Sequence, residues 1–216
     1  MKTLRTSSVL IIIAASLFAV GSAPAATTLT NAALTAFLCL LGILIFTAAA
    51  LMIFGASGSG RGLFRGSFRD RINDWANLIQ FVGALSFIGS CVQSLIAALK
   101  HSPAVAPGWQ LNFAGSALFM ISSSLALLTF WKLPARSIQD SLTRWSSYVY
   151  LFGSILFMGG SVFAVFATMC NSSSLAQAYG YLTAAGAVCF GIGAYLALRA
   201  ASGAEPKLRH ISLREL

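Results

Sequence analysis

One stretch of the sequence occurs twice, and it constrains the fold more than any other feature. The first copy begins at Asp70 and reads DRINDWANLIQFVGALSFIG, and the second begins at Asp140 and reads DSLTRWSSYVYLFGSILFMG. Four further positions match at the same offset: Trp75 and Trp145, Gly83 and Gly153, Phe87 and Phe157, Gly89 and Gly159. A fixed period of about 70 residues indicates a duplicated structural unit.

A second apolar segment follows each copy of the repeat. Gly115 and Phe119 in the first unit match Gly186 and Phe190 in the second, at an offset one residue longer. Each unit is therefore interpreted as a pair of apolar helices. The predicted repeats span residues 70–131 and 132–199, and a polar tail of residues 200–216 follows them.

Composition indicates a membrane protein. Of the 216 residues, 57% are hydrophobic and only 9% are charged, whereas a soluble domain carries roughly 25% charged residues. The chain is therefore predicted to be an all-α, polytopic membrane helix bundle in a lipid bilayer. The net charge of +9 is typical of the cytoplasmic side of such a protein, so nucleic acid is not an expected partner.

The N-terminus has the features of a secretory signal peptide. Lys2 and Arg5 precede the apolar run VLIIIAASLFAV, and Ala23-Pro24-Ala25 follows it. A short basic region, an apolar core and an A-x-A site together predict cleavage after Ala25, so that residues 1–25 are removed. An uncleaved signal anchor is the alternative interpretation, because proline lies inside the site.

Five membrane-spanning helices are predicted in the mature protein. The first, at about residues 29–54, lies within a segment 26–69 that also holds a basic connector, and it has no counterpart in the repeats. It is long enough to cross a hydrocarbon core of about 30 Å. The other four are predicted near residues 75–99, 111–131, 148–169 and 178–198. Because each repeat holds two spans, both repeats point the same way across the membrane.

Charge placement predicts the orientation. We place the N-terminus, the basic connector before each repeat and the tail on the cytoplasmic side. Thirteen of the fourteen lysine and arginine residues are then cytoplasmic, and only Lys100 is outside. This agrees with the preference of basic residues for the cytoplasmic side. The protein is therefore predicted in the bacterial inner membrane, with its C-terminus in the cytoplasm.

The repeated small residues are interpreted as helix-packing positions, because close backbone approach drives helix association in lipid. Of the two glycines in the first helix of each copy, one could face the second helix of the same pair and the other could face the other repeat. Packing is favoured over pore lining. Trp75 and Trp145 are predicted to be interfacial anchors, since tryptophan prefers the membrane surface. The predicted packing residues are Gly83, Gly89, Gly115, Gly153, Gly159 and Gly186.

The spans offer little chemistry. No acidic or basic residue lies clearly inside a span, where such groups mark ion pathways or proton relays. The chain has only two histidines, and its four cysteines show no C-x-x-C spacing. No catalytic, cofactor-binding or metal-binding residue is assigned, and the protein is not expected to be an enzyme. Ser122, Ser123 and Ser124 could line a path, but bonding to their own helix backbone is the default interpretation.

The glycine-rich segments carry a family resemblance. LFGSILFMGGSVFAVF, followed by GYLTAAGAVCFGIGAYLAL, is similar to the YrhK-like two-helix membrane domain family, and FVGALSFIGSCV with FAGSALFMISSS is a more divergent copy. That resemblance implies a tandem helix pair and no known activity. The signal-like start, the first span and its arginine-rich connector resemble small inner-membrane subunits of type IV secretion systems.

One interpretation of the function is favoured and two alternatives remain open. A non-enzymatic scaffold or accessory subunit of a membrane complex is favoured, because packing residues are abundant and reactive groups are absent. A small transporter or channel built from two parallel repeats is the alternative, and a membrane component of a type IV secretion or conjugation system is another. Protein partners in a membrane complex are expected under the favoured interpretation.

Overall fold

The computed structural model describes residues 2–24, 31–56, 67–101, 106–130 and 137–203. These residues form six helices, and the predicted all-α, multi-pass architecture is confirmed over them. Each helix is long and apolar enough to cross a membrane. The helices are α1 (Lys2–Ser22), α2 (Ala32–Ala56), α3 (Phe68–Leu99), α4 (Trp109–Leu128), α5 (Ile138–Cys170) and α6 (Ser173–Gly203).

The structure contains one more candidate span than the five predicted for the mature protein. The additional helix is α1, which is the segment interpreted as a signal peptide. A signal sequence and a short membrane span are both apolar, and the helix extends beyond the apolar run in both directions, which makes it long enough to span. The predicted cleavage site after Ala25 lies outside the described residues, as do residues 57–66 and 132–136 of the two basic connectors and residues 204–216.

The six helices form a closed ring. Among the described residues each helix packs against the helix before it and the helix after it, and α6 packs against α1. Contacts between neighbours pair the start of one helix with the end of the next, so neighbouring helices are antiparallel. For example, Gly83 of α3 lies against Phe119 of α4, while Gly89 farther along α3 lies against Leu111 nearer the start of α4.

One end of the ring carries most of the described basic residues. Arg5 Nη2 of α1 donates to the carbonyl oxygen of Ala201 in α6 at 3.4 Å, and the Arg69 guanidinium lies 5.4 Å from the centroid of the Phe130 ring. The starts of α1 and α3 therefore lie beside the ends of α6 and α4. We call this the basic end and the other, which holds Lys100, the opposite end.

The aspartates that begin the two sequence repeats lie three residues after the serines that cap α3 and α5. The Ser67 hydroxyl oxygen accepts from the Asp70 backbone N–H at 3.2 Å, and the Ser67 N–H donates to the Asp70 carboxylate at 3.1 Å. Ser137 accepts from the Asp140 N–H at 3.0 Å in the same way. These bonds satisfy N–H groups that have no partner within the helix. The repeated Ser-x-x-Asp pattern therefore begins α3 and α5.

The same backbone contact occurs in all three consecutive helix pairs. An ideal Cβ added to Gly115 would lie 3.0 Å from the Gly83 carbonyl oxygen, and one added to Gly186 would lie 3.0 Å from that of Gly153. In α1 and α2, a Cβ added to Gly42 would lie 2.9 Å from the carbonyl oxygen of Ala14. The first span, for which the sequence showed no counterpart, is thus half of a third pair with the same close approach.

Candidate functional site

A layer of phenylalanine side chains fills the centre of the ring. Every helix contributes one ring, and each of the six is at most 9% exposed. The closest ring centroids within the layer are 5.1 Å apart and the most distant packed pair is 6.4 Å apart. Edge-to-face and tilted pairs of this kind are favourable for aromatic side chains. We call these residues the phenylalanine layer: Phe18, Phe46, Phe87, Phe119, Phe157 and Phe190.

The phenylalanine layer closes the axis of the ring. The six rings, together with apolar residues of α1, α2 and α6, line a void of only about 30 Å³, room for about one or two water molecules. Apolar constrictions exclude water and ions by dewetting. In this conformation the layer is a barrier between the two ends of the bundle.

A cavity of about 410 Å³ lies on the opposite-end side of the phenylalanine layer. Residues of α1, α2, α3, α4 and α6 line it, and Phe18 lies at its boundary with the layer. Its volume falls within the range of about 300–1,000 Å³ typical of small-molecule sites. The cavity is therefore large enough for a small ligand.

Helical periodicity explains why small polar residues meet in this cavity. Cys39, Asn112 and Thr183 each lie seven positions, or about two turns, before the phenylalanine of their own helix. On α1 and α3, Ser22 and Cys91 each lie four positions, or about one turn, after theirs. Residues at these spacings share a face with the phenylalanine. All five therefore line the cavity, one or two helical turns from the phenylalanine layer toward the opposite end.

The polar groups of the cavity are only partly satisfied by the protein. Ser22 Oγ and Cys39 Sγ lie 3.6 Å apart, at hydrogen-bonding distance for sulfur. Asn112 Nδ2 donates to Ser161 Oγ at 2.8 Å. The hydroxyl oxygen of Thr183 is buried and has no hydrogen-bond partner among the described residues. A buried hydroxyl without a partner is costly, and this one lies against α5, where an added Cβ on Gly160 would be 3.1 Å from it.

A second cavity, of about 300 Å³, lies at the basic end between α1, α2 and α3. Ser7 and Asn73 line it, respectively eleven and fourteen positions before the phenylalanines of α1 and α3. These spacings correspond to about three and four turns, so both residues lie on the axial side of their helices. Ile53, seven positions after Phe46, lines it from α2. The phenylalanine layer therefore separates two cavities on the axial side of the ring.

The α4–α5 contact is the most polar interface between pairs in the described chain. Ser116 Oγ lies 2.7 Å from Ser161 Oγ, and Ser123 Oγ lies 2.9 Å from Ser154 Oγ. The default interpretation of the serine run as bonded to its own helix is correct only for Ser124. Ser122 and Ser123 instead bond across to α3 and α5, because a buried hydroxyl facing a neighbouring helix finds acceptors there.

Removing one of these bonds should lower stability measurably. We expect Ser123→Ala to destabilise the protein by about 0.6–2 kcal/mol, the range found for interhelical hydrogen bonds in membranes. Ser124→Ala is the matched control, since its hydroxyl is exposed and bonds only to the carbonyl oxygen of Met120 at 2.8 Å. Thermal unfolding of both variants in the same detergent tests this, and equal melting temperatures would contradict an interhelical role for Ser123.

The predicted packing glycines lie at contacts within pairs. Both Gly83 and Gly89 face α4, where an added Cβ would lie 2.7 Å from the Phe119 ring and from Leu111 respectively. The suggestion that one glycine of each copy faces the other repeat is wrong for Gly89, because the long side chain of Leu111 reaches it. Gly159 also faces its own pair but is less crowded, with the nearest such atom, on Leu182, at 3.8 Å.

The two tryptophans predicted to be interfacial anchors lie about two turns after the starts of α3 and α5, at the basic end. Trp75 is 41% exposed and Trp145 is 62% exposed. Neither takes part in the cavities or in the phenylalanine layer. The sequence did not single out the cavity residues, because they share a position relative to the phenylalanines and not a residue type.

Comparison of the chain with protein-family models, curated proteins and solved structures finds no match.

Proposed function

We propose that the protein is a small multi-pass transporter in which the ring of helices surrounds the solute path. The observation that carries this proposal is the placement of two cavities on the axial side of the ring, separated by the phenylalanine layer. A carrier needs a site reached from one side and a barrier to the other. The opposite-end cavity is the proposed site, and the layer is the proposed barrier.

The transporter proposal requires that α1 remain in the mature protein. Helix α1 supplies Phe18 to the layer and Ser22 to the cavity. Its removal would open the ring between α2 and α6. We therefore favour the uncleaved alternative to the predicted signal peptide, which gives six spans and three helix pairs with parallel orientation.

Orientation and location follow from the distribution of charge. Arg5, Arg69, Arg144 and Arg199 lie at the basic end, and the charge preference of bacterial inner-membrane proteins assigns that end to the cytoplasm. Both termini are then cytoplasmic, and the 410 Å³ cavity faces the outer side. The resemblance of the α3–α4 and α5–α6 pairs to the YrhK-like helix pair is retained as a proposal about fold alone.

A scaffold or accessory subunit, including a component of a secretion machine, is the second candidate. The observation that favours it is a group of exposed apolar side chains at the basic end: Phe68 is 71% exposed, Ile138 is 76% exposed and Trp145 is 62% exposed. Exposed apolar groups rimmed by charge are typical of protein contacts. At a helix end the headgroup region covers such side chains equally well.

Flux measurements with the purified full-length protein test the transporter proposal. Liposomes containing the protein should move at least one of glycerol, K⁺ or Cl⁻ faster than protein-free liposomes. Phe157→Ala should raise the flux by about tenfold, because it widens the apolar constriction. Phe152→Ala is the matched control. The Phe152 side chain lies on the same helix as Phe157, but it is 56% exposed on the outer surface of the helix bundle.

Two outcomes would contradict the transporter proposal. One is flux equal to that of protein-free liposomes for all three solutes, both in the natural protein and in Phe157→Ala. The other is an equal increase in Phe157→Ala and Phe152→Ala, which would indicate general leakiness of a damaged protein. Specific co-purification of another membrane protein, combined with no flux, would favour the scaffold.

A further inference from the structure

Gln93 places an amide on the outer surface of the bundle. Its side chain is exposed on α3, and its amide has no hydrogen-bond partner within the described part of the chain. The neighbouring side chains are apolar and face outward, since Val92 is 38% exposed and Ile96 is 46% exposed. An amide among apolar groups is costly unless it is hydrogen-bonded.

Exposed hydroxyl groups elsewhere on the outer surface are bonded to their own helices. Ser16, Ser124 and Thr168 each donate to the carbonyl oxygen four residues earlier, at 2.9, 2.8 and 3.0 Å respectively. Such bonds satisfy a hydroxyl donor without any contact from outside the bundle. Gln93 has no equivalent bond, so its amide calls for a partner from another molecule.

The depth of Gln93 keeps its amide away from water. Arg144 precedes Phe157 by thirteen residues on the basic-end side of the phenylalanine layer. Lys100 follows Phe87 by thirteen residues on the other side. Charged groups about 20 Å away on both sides place the layer near the bilayer midplane. Gln93 lies six residues after Phe87, or about 9 Å from the layer, inside a hydrocarbon half-thickness of about 15 Å.

The direction of the side chain strengthens this argument. Helix α3 runs from the basic end to the opposite end, and Cα–Cβ bonds of a helix tilt toward its N-terminus. The Cα–Cβ bond of Gln93 is therefore tilted toward the midplane and away from the nearer membrane surface. Water and headgroups at that surface are poorly placed to satisfy the amide.

The second repeat has an apolar side chain at the matching position. The offset of the repeats pairs Gln93 of α3 with Phe163 of α5, which is 37% exposed. At another outward position, Val82 is paired with Phe152, and both are apolar and exposed. An amide thus distinguishes the outer face of α3 from the same face of α5.

Two further residues lie on the same side of α3 as Gln93. Ser86 and Val82 precede it by seven and eleven residues, or about two and three turns. Ser86 is small, and its hydroxyl donates to the Val82 carbonyl oxygen at 3.3 Å. Small side chains allow helices to approach closely in lipid. We call Val82, Ser86 and Gln93 the outer α3 face.

We propose that two copies of the chain associate through the outer α3 face, with Gln93 of each copy hydrogen-bonded to Gln93 of the other. Both copies insert in the same orientation, so a two-fold axis along the membrane normal places the two amides at equal depth. A primary amide is both a donor and an acceptor, so the pair satisfies itself. Because this face points away from the axis of the ring, the association does not depend on transport.

The first test measures association of full-length, fluorescently labelled protein in liposomes by single-molecule photobleaching. The natural protein should form more dimers as the protein-to-lipid ratio rises. Gln93→Leu should weaken dimerisation about tenfold, because two interhelical hydrogen bonds are lost. Val92→Leu is the matched control at the same depth on another face of α3, and it should change dimerisation less than twofold. A natural protein that stays monomeric, or Gln93→Leu that dimerises like the natural protein, would overturn the proposal.

The second test locates the interface by cross-linking in native membranes. In protein carrying Cys170→Ser and Cys189→Ser, a short bifunctional methanethiosulfonate should link copies of Ser86→Cys at least about tenfold faster than copies of Phe163→Cys on α5. Equal rates, or no linked dimer from Ser86→Cys, would overturn the proposed face. Linkage of Ser86→Cys to a different protein, with the purified chain monomeric in liposomes, would assign the face to another partner and overturn association of two copies.

Discussion

Deletion of residues 2–24 is expected to abolish production of folded protein. The deletion removes α1, which packs against both α2 and α6 and closes the ring. It also removes Phe18, whose ring packs at 6.3 Å from Phe87 and 6.1 Å from Phe157. Because contact between helices holds a membrane bundle together, loss of one helix of the ring should reduce monodisperse protein by about tenfold or more.

Fluorescence-detected size-exclusion chromatography of a tagged protein measures the yield of monodisperse protein. The intact mass of the purified natural protein shows at which residue the mature chain begins. We expect a mass that includes residues 2–25. Two substitutions in α1 make a matched pair: Ala14→Leu changes a side chain that is 1% exposed, whereas Ile13→Leu changes its 45% exposed neighbour. A natural protein that begins at Ala26 and is monodisperse would contradict the closed ring.

Replacing Gly153 with leucine is expected to have the second-largest effect. A Cβ at this position would lie 2.9 Å from the Phe190 ring and 3.0 Å from the carbonyl oxygen of Gly186. Since the carbonyl belongs to the backbone of α6, it cannot move aside as a flexible side chain could. Overpacking costs about 1–3 kcal/mol in a well-packed core, and a direct backbone clash places Gly153→Leu at or beyond the upper end.

Two glycines provide controls for Gly153→Leu. Gly159→Leu tests the same helix at a position where the nearest atom, on Leu182, would lie 3.8 Å away, and Gly55→Leu tests a position with nothing within 4 Å. Both should retain most of the folded yield and melting temperature of the natural protein. If all three variants unfold at the same temperature, close approach between α5 and α6 does not stabilise the bundle.

The serine run illustrates why contacts were harder to predict than helices. A serine in an apolar helix bonds to its own backbone unless a neighbouring helix offers an acceptor, and the sequence does not show which neighbours are in contact. Ser122 and Ser123 face α3 and α5, while Ser124 faces outward and bonds to its own helix. Three adjacent residues of one type therefore have three different partners.

The third helix pair shows a similar limit. Gly42 and Phe46 repeat the spacing of Gly115 and Phe119, but Ala14 stands where the other pairs have glycine. The apolar run around Ala14 also matches a signal peptide, and this interpretation set the segment apart from the repeats. Only the contact of Gly42 with the Ala14 carbonyl oxygen shows that α1 and α2 pack as the other pairs do.

The sequence by itself determined the class of the protein, because hydropathy and the scarcity of charge are local properties that any span must have. It also located the spans of both repeats, but not the serine caps at which α3 and α5 begin, several residues before those spans. Ring closure, the phenylalanine layer and the cavity were decided by tertiary structure alone. They depend on how helices distant in sequence are placed around one axis, because the layer takes one ring from each of six helices and the cavity wall combines residues of five of them.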